Sequence, residues 1–274
     1  MKLRGIILCS VLVAHINVLA AIGMDSTTLD GLTWSYYIEE NGGITIKARG
    51  VSPQPTGELI IPSTLDGKSV VGIGMGAFND FVGLTSVTIP YGVTTIENSA
   101  FSGCSSLTNV TIPDSVTSIG SSAFEGCTSL RSITIPNSVN VIGNCAFSHC
   151  STLKNINMPA HLMGMGVGVF SDCIALQSLD IPEGTTCIGE YMFSGCKSLK
   201  HVTIPDSVKS IDGFAFDGCR GLTDIVIPVS VISVSDRAFW ECDGLISVTV
   251  PKSMTMSDLQ HIFRKWRKLK IIWH

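Results

Sequence analysis

Charge is scarce in this chain. Asp, Glu, Lys and Arg make up only 15% of its residues and nearly cancel, leaving a formal net charge of −4. No broad positive field exists to draw a polyanion, so nucleic acid is not an expected partner. Aromatic residues are few as well, at 7%. Beyond the N-terminus no run reaches the roughly 18 consecutive apolar residues of a membrane-spanning helix, so no integral membrane span is expected in the mature chain. Catalytic signatures are missing too. There is no HExxH and no GxSxG, and His149, His161, His201, His261 and His274 are scattered rather than grouped. Gly67, Lys68 and Ser69 imitate the end of a phosphate-binding loop, but Pro62 stands where that loop needs its first glycine. The alternating glycines Gly72, Gly74, Gly76 and Gly164, Gly166, Gly168 lack the strand-to-helix setting of a dinucleotide site. Neither an enzyme nor a cofactor is expected.

What the chain has is apolar material, 45% of 274 residues, enough for a sizeable core. At its start Lys2 and Arg4 precede a mostly apolar stretch from Gly5 to Leu19, and small residues Ala20, Ala21 and Gly23 follow. That order is the order of a secretory signal peptide, expected over residues 1–23, although His15 and Asn17 interrupt the apolar run.

The dominant signal is a repeat. Prolines recur every 23 residues from Pro90 through Pro113, Pro136, Pro159, Pro182, Pro205 and Pro228 to Pro251. Phenylalanines keep the same step from Phe101 to Phe239, cysteines from Cys104 to Cys242 and leucines from Leu84 to Leu245. Four residue types on one fixed period mean the stacked coils of a solenoid, in which no coil buries its apolar side alone. In the unit that starts at Leu107, Val110 and Ile112 point inward around an outward Thr111, the alternation of a strand buried on one face. Pro113 withholds a backbone donor and should end that strand. Val116 and Ile119 add inward contacts, Gly120 marks a bend, and Ala123 and Phe124 fill the interior from a short helical or 3₁₀ turn.

These units resemble the leucine-rich repeat of the BspA-like, Treponema type, with the frame LxxVxIPxxVxxIGxxAFxGCxx carried by residues 84 to 250. Leu59 to Phe78 resembles the same unit with five extra residues after Pro62, and residues 31 to 58 resemble the cap strands that lead into such arrays. The resemblance implies a right-handed superhelix with a concave parallel β-sheet, and short strands, turns and 3₁₀ segments on the convex side. It also implies a secreted or cell-surface protein, but no particular ligand. The expected division is a signal peptide at 1–23, cap strands at 24–58, the array at 59–251 and a C-terminal capping repeat or helix at 252–274. Two departures stand out. Met163, Gly164, Met165, Gly166 and Gly168 replace the usual polar residues of one coil, which should be flatter or more mobile. After Pro251 the pattern slips by one residue, to Phe263, Trp266 and Leu269, and Ser257 with Asp258 suits a helix start.

The in-register cysteines invite a metal or disulfide reading, and geometry decides. Coils lie about 4.8 Å apart with equivalent side chains parallel. Such a column neither converges on a tetrahedral zinc site nor brings Cβ atoms to the roughly 3.8 Å of a disulfide. These cysteines are expected as small buried residues. Cys145 and Cys187 lie off the column and are expected to be partly exposed.

Two outward columns flank each first strand, running from Ser86 to Ser247 and from Thr88 to Thr249, mostly small hydroxyl or amide residues. Many are ordinary filler on a solvated sheet. Asn155, Asn157, Asp180, His201 and Asp224 break that pattern in four successive coils and are the candidate partner contacts. Trp240 is a further candidate anchor, and Lys252, Arg264, Lys265, Arg267, Lys268 and Lys270 give the C-terminal stretch a basic face read as a solvated cap. The expected function is a binding module for an extracellular protein or glycan; the alternative is a self-assembling structural protein.

Overall fold

The structure is a computed structural model that describes residues 25–263 and 266–274. The expected signal peptide lies outside the described residues. Three strands open the fold: β1 (Asp25–Leu29), β2 (Leu32–Ile38) and β3 (Ile44–Ser52). β1 and β2 are antiparallel, as are β2 and β3, and β3 then pairs in parallel with β6 (Lys68–Ile73). Trp34 and Tyr36 on β2 are each 2% exposed, so this hairpin closes the open end of the core.

The first coil holds β4 (Gly57–Ile60), β5 (Thr64–Leu65) and β6 (Lys68–Ile73). The extra residues after Pro62 form an antiparallel hairpin of β5 on β6, turned by Asp66 and Gly67 with φ of 49° and 73°. Two consecutive left-handed residues are what a tight two-residue hairpin requires. Gly67 therefore sits in a hairpin turn, and Lys68 and Ser69 open β6 rather than a phosphate loop.

Each later coil contributes two short strands. A first ladder runs through β4, β7 (Leu84–Thr88), β9 (Asn109–Thr111), β11 (Ser132–Thr134), β13 (Asn155–Asn157), β15 (Ser178–Asp180), β17 (His201–Thr203), β19 (Asp224–Val226) and β21 (Ser247–Val250). A second ladder, just past each proline, runs through β6, β8 (Thr95–Ile96), β10 (Ser118–Ile119), β12 (Val141–Ile142), β14 (Gly164–Met165), β16 (Cys187–Ile188), β18 (Ser210–Ile211) and β20 (Ser233–Val234). The pairings between coils are parallel, and apart from β4 on β7, where the five extra residues put partners 27 or 28 positions on with a register shift, each residue faces its equivalent 23 positions on, as in Ser118↔Val141 and Ile119↔Ile142. The inward Ile119 that the sequence marked as a core contact is thus the buried half of a second strand.

Neither ladder is continuous. The first parts between β9 and β11, between β13 and β15, and between β17 and β19; the second parts only between β14 and β16.

The third side of each coil is made of turns. Ala123 donates to the Gly120 carbonyl, Glu125 to Ser122 and Cys127 to Phe124, the i→i+3 bonds of a 3₁₀ turn. Left-handed Ser122 and Gly126 interrupt them, so no helix grows. Between these turns Phe101, Phe124, Phe147, Phe170, Phe193, Phe216 and Phe239 point inward as one stack, each at most 1% exposed.

The C-terminal end is closed by α1 (Met256–Ile262), with Leu259, Ile262 and Phe263 buried. Its N-cap is Thr255, not Ser257: the Thr255 hydroxyl accepts from the Asp258 amide while the Asp258 carboxylate accepts from the Thr255 amide. A reciprocal capping box uses the residue three before the acid, which is why Asp258 selects Thr255. Phe263 stacks on Phe239 at 5.0 Å, one residue late, as the slip in the pattern requires. A last strand, β22 (Lys270–Trp273), adds to β21 and had no counterpart in the sequence reading.

Glycine is required where the second ladder turns. A Cβ on Gly120, Gly143 or Gly166 would lie 2.6, 2.4 and 2.4 Å from the backbone nitrogen of Asn98, Ser121 and Asn144, in the preceding coil. At Gly189, in the same column, the nearest atom would be 3.7 Å away. Gly143→Ala is expected to lower stability by about 1–3 kcal/mol, the usual cost of overpacking, and Gly189→Ala to change it by less than about 0.5 kcal/mol. Urea midpoints of the two variants check this.

Candidate functional site

The first-ladder strands alternate outward, inward, outward because only their middle residue packs on the core: Val110, Ile133, Leu179, Val202 and Ile225 are buried. Asn155, Asn157, Asp180, His201 and Asp224 all stand on the outward face of this ladder and are exposed. The pairing sets their order. Ser178 faces His201 and Asp180 faces Thr203 across β15 and β17, while Asn155 and Asn157 face Ser132 and Thr134. Asn157 Nδ2 donates to Thr134 Oγ1 at 3.4 Å, and Asp224 Oδ2 accepts from Thr223 Oγ1 at 2.9 Å.

The five share a face but not a cavity. A concavity of about 320 Å³ on this ladder lies two coils earlier, where β9 and β11 part, and is lined by Asn109, Thr111, Asp114, Ser132 and Thr134 among others. The five are therefore arranged to give hydrogen bonds and local charge along an extended surface, with two carboxylates, two amides and one imidazole over four coils.

Trp240 is half-buried and engaged within the chain. The Arg237 guanidinium lies 5.5 Å from its ring centroid and 5.9 Å from that of Phe214, and Phe214 stacks on Tyr191 at 5.4 Å. Tyr191, Phe214 and Arg237 occupy left-handed positions, with φ of 56°, 58° and 65°. In the preceding coils the same position holds Ser99, Ser122, Cys145 and Gly168. Large side chains in that conformation are uncommon. The sequence reading missed this strip, although the change from small to large residues along a column was its signal. At the C-terminal end Lys252, Arg267, Lys268 and Lys270 are exposed, and Arg264 and Lys265 lie outside the described residues.

The cysteine column is a bonding column. Each thiol donates to the carbonyl of a phenylalanine 26 residues earlier, from Cys104 to Phe78 at 3.1 Å through Cys242 to Phe216 at 3.0 Å. The same phenylalanine carbonyl accepts the amide of its own coil's cysteine, as Phe124 does from Cys127. Among the described residues no group of three or more His, Cys, Asp or Glu side chains could hold a metal ion. Cys145 is half-buried, and burial, reinforced by Glu125, raises its thiol pKa. It stays protonated and is a poor nucleophile. Cys187 corrects the expectation: it is buried, and its thiol donates to Asp212 Oδ2 of the next coil at 3.3 Å, so that carboxylate covers it.

The fold defines a class, a parallel β-solenoid built from 23-residue coils with two strand ladders. The family profile "BspA type Leucine rich repeat region" matches six copies, over residues 71–200 and 165–272. The chain belongs to this family. A leucine-rich-repeat protein from Treponema pallidum is 31% identical, with a TM-score of 0.64 over 69% of this chain and 87% of its own. A leucine-rich cell surface protein from Faecalibacterium prausnitzii aligns at 21% identity and TM-score 0.44, covering 93% of this chain and 96% of its own. The pneumococcal vaccine antigen PcpA aligns at 18% identity and TM-score 0.44, covering 83% and 82%. No curated protein matches the sequence. No described helix is long and apolar enough to cross a membrane.

Burial pushes the thiols of Cys104, Cys150 and Cys242 up to about 12, and those of Cys127, Cys173, Cys196 and Cys219 well above their ordinary 9.0. The unfolded chain releases these protons near pH 9.0 while the folded chain keeps them. Their contribution to stability is complete below that pH and declines as pH rises toward 12. Under reducing conditions the urea midpoint is expected to fall steadily from about pH 8 to about pH 11, and a Cys150→Ala variant to show a shallower fall. Equal midpoints across that range would contradict the assignment.

Proposed function

We propose that the chain is a secreted or cell-surface binding module that engages an extracellular protein or glycan through the outward face of its first ladder, without catalysis. One observation carries this reading: Asn155, Asn157, Asp180, His201 and Asp224 project from four consecutive coils of one ladder, where the other coils carry mostly small hydroxyl residues. A packed sheet presents such side chains at little entropic cost, which favours recognition over a broad surface. The order of charges and small residues at the N-terminus supports export. The test is binding of the exported chain to an array of extracellular-matrix proteins and glycans beside an Asp180→Lys/His201→Glu variant. A specific interaction is expected, with the variant weakening it ten-fold or more, that is by at least about 1.4 kcal/mol. An interaction unchanged in the variant would move the site off this face.

A second reading, self-assembly, has its own observation. β4 and β22 are the two end strands of the first ladder, and each pairs on one side only. In register, Glu58 and Lys270 fall in one outward column, and exposed Ile60 and Ile272 fall in the other. Head-to-tail contact would join opposite charges and cover both isoleucines. Sedimentation velocity decides: oligomers that grow with concentration, vanish in Lys270→Glu and return in Glu58→Lys/Lys270→Glu support assembly, and a monomer at all concentrations rejects it.

A further inference from the structure

We infer that the solenoid contains a built-in hinge between the coil of β13 and β14 and the coil of β15 and β16, so that the proposed binding face consists of two rigid halves. The hinge concerns the face proposed above, but its geometry stands without any ligand.

Among the described coils, this is the one step at which both ladders part: β13 does not pair with β15, and β14 does not pair with β16. At neighbouring steps an amide beyond the second strand bonds to the preceding coil, Gly143 to Ile119 at 2.8 Å, Gly166 to Ile142 at 2.9 Å and Asp212 to Ile188 at 2.9 Å. The matching bond from Gly189 to Met165 is not formed. The space above Gly189, where a Cβ would meet nothing closer than 3.7 Å, reports the same separation. The phenylalanine stack widens too. Across the seam, from Phe170 to Phe193, ring centroids are 5.7 Å apart; the step just before it, Phe147 to Phe170, is 5.9 Å, and the other successive column rings are 4.9 to 5.4 Å apart.

The turn side stays joined. Gly168 donates to Glu190 at 2.9 Å, Phe170 to Met192 at 3.0 Å and Asp172 to Ser194 at 2.7 Å. On the strand sides the step keeps only sparse ties: a single parallel bridge between His161 and Glu183, with Leu162 donating to the Glu183 carbonyl at 3.4 Å, and Gln177 donating to Lys154 at 3.5 Å. Two sparsely tied sides and one fully bonded side make a pivot.

The sequence supplies a cause. Where an earlier coil has Thr117, Ser118 and Ile119, this one has Met163, Gly164 and Met165. Thr117 Oγ1 donates back to the Thr94 carbonyl at 3.1 Å; Met163, 85% exposed, has no such hydroxyl, and only its amide ties it to the preceding coil, at Asn140, 2.8 Å away. Gly164 weakens the strand further, having no side chain to pack and more backbone freedom to lose. Opening at this seam would swing Asn155 and Asn157 against Asp180, His201 and Asp224. A partner touching both halves would select one angle by its differential contacts.

Hydrogen exchange on the full chain, read by mass spectrometry, tests the hinge without a ligand. Amides of 186–189 are expected to exchange at least ten-fold faster than their counterparts at 140–143 and 209–212. A Met163→Thr/Gly164→Ser/Met165→Ile variant, which copies the earlier coil, is expected to bring 186–189 to the rate of its neighbours. Equal rates in the unaltered chain would overturn the hinge whether or not the variant folds. Fast exchange that persists in a folded variant would overturn it as a feature these three residues build in. Loss of partner binding with the exchange pattern intact would instead reject the binding face and leave the hinge standing.

Discussion

The contact on which the rest of the structure depends is the one each coil makes with the next through its phenylalanine and cysteine. A single coil is one layer thick and buries nothing by itself. Stacking places each ring over the last at about van der Waals distance, and truncating one such ring to alanine typically costs about 3–5 kcal/mol. The thiol adds direction to that contact. It reaches back to a carbonyl that would otherwise serve only its own coil, so every step is held by burial and by a bond in the same place. Because these groups sit on the turn side, that side stays closed even where both ladders part.

The ladders are secondary to that stack. Their strands are two or three residues long through most of the array, too short to hold a sheet together unaided. They follow the spacing the stack sets. At Gly120, Gly143 and Gly166 a Cβ would press on the preceding coil's backbone, whereas the same column elsewhere holds Glu97, Asp212 and Ser235.

Residues that pack against their own copies were legible in the sequence, because a repeated environment demands a repeated residue. The phenylalanine, leucine, cysteine and proline columns, the first strand and the late Phe263 all follow from the period alone. The second ladder was legible only in half: Ile119 announces a buried position, but two residues are too few to show alternation. The helix start was placed at Ser257, which lies inside α1, because Thr255 and Ser257 are both good caps; the capping box with Asp258 fixes the cap at Thr255. Cys187 was misread because its cover, Asp212, arrives from the next coil, which no reading within one coil foresees. The candidate contacts were visible as exceptions in an outward column. Tyr191, Phe214 and Arg237 were exceptions of the same kind in a turn column, where left-handed backbone is invisible to a pattern of apolar residues.

A surface built this way has limits that bear on function. Parallel side chains about one strand spacing apart do not converge on one atom, as the groups of a catalytic site must. Each coil adds side chains at fixed spacing, and a substitution in one column alters the surface without touching the core. That independence explains why polar exceptions accumulate outward while Phe147, Cys150 and Leu153 stay uniform beneath them. It also bears on the seam. The one coil that loses its hydroxyl pattern lies between Asn157 and Asp180, inside the run of exceptions, so the same stretch of chain that varies the face also varies the angle at which the face is held.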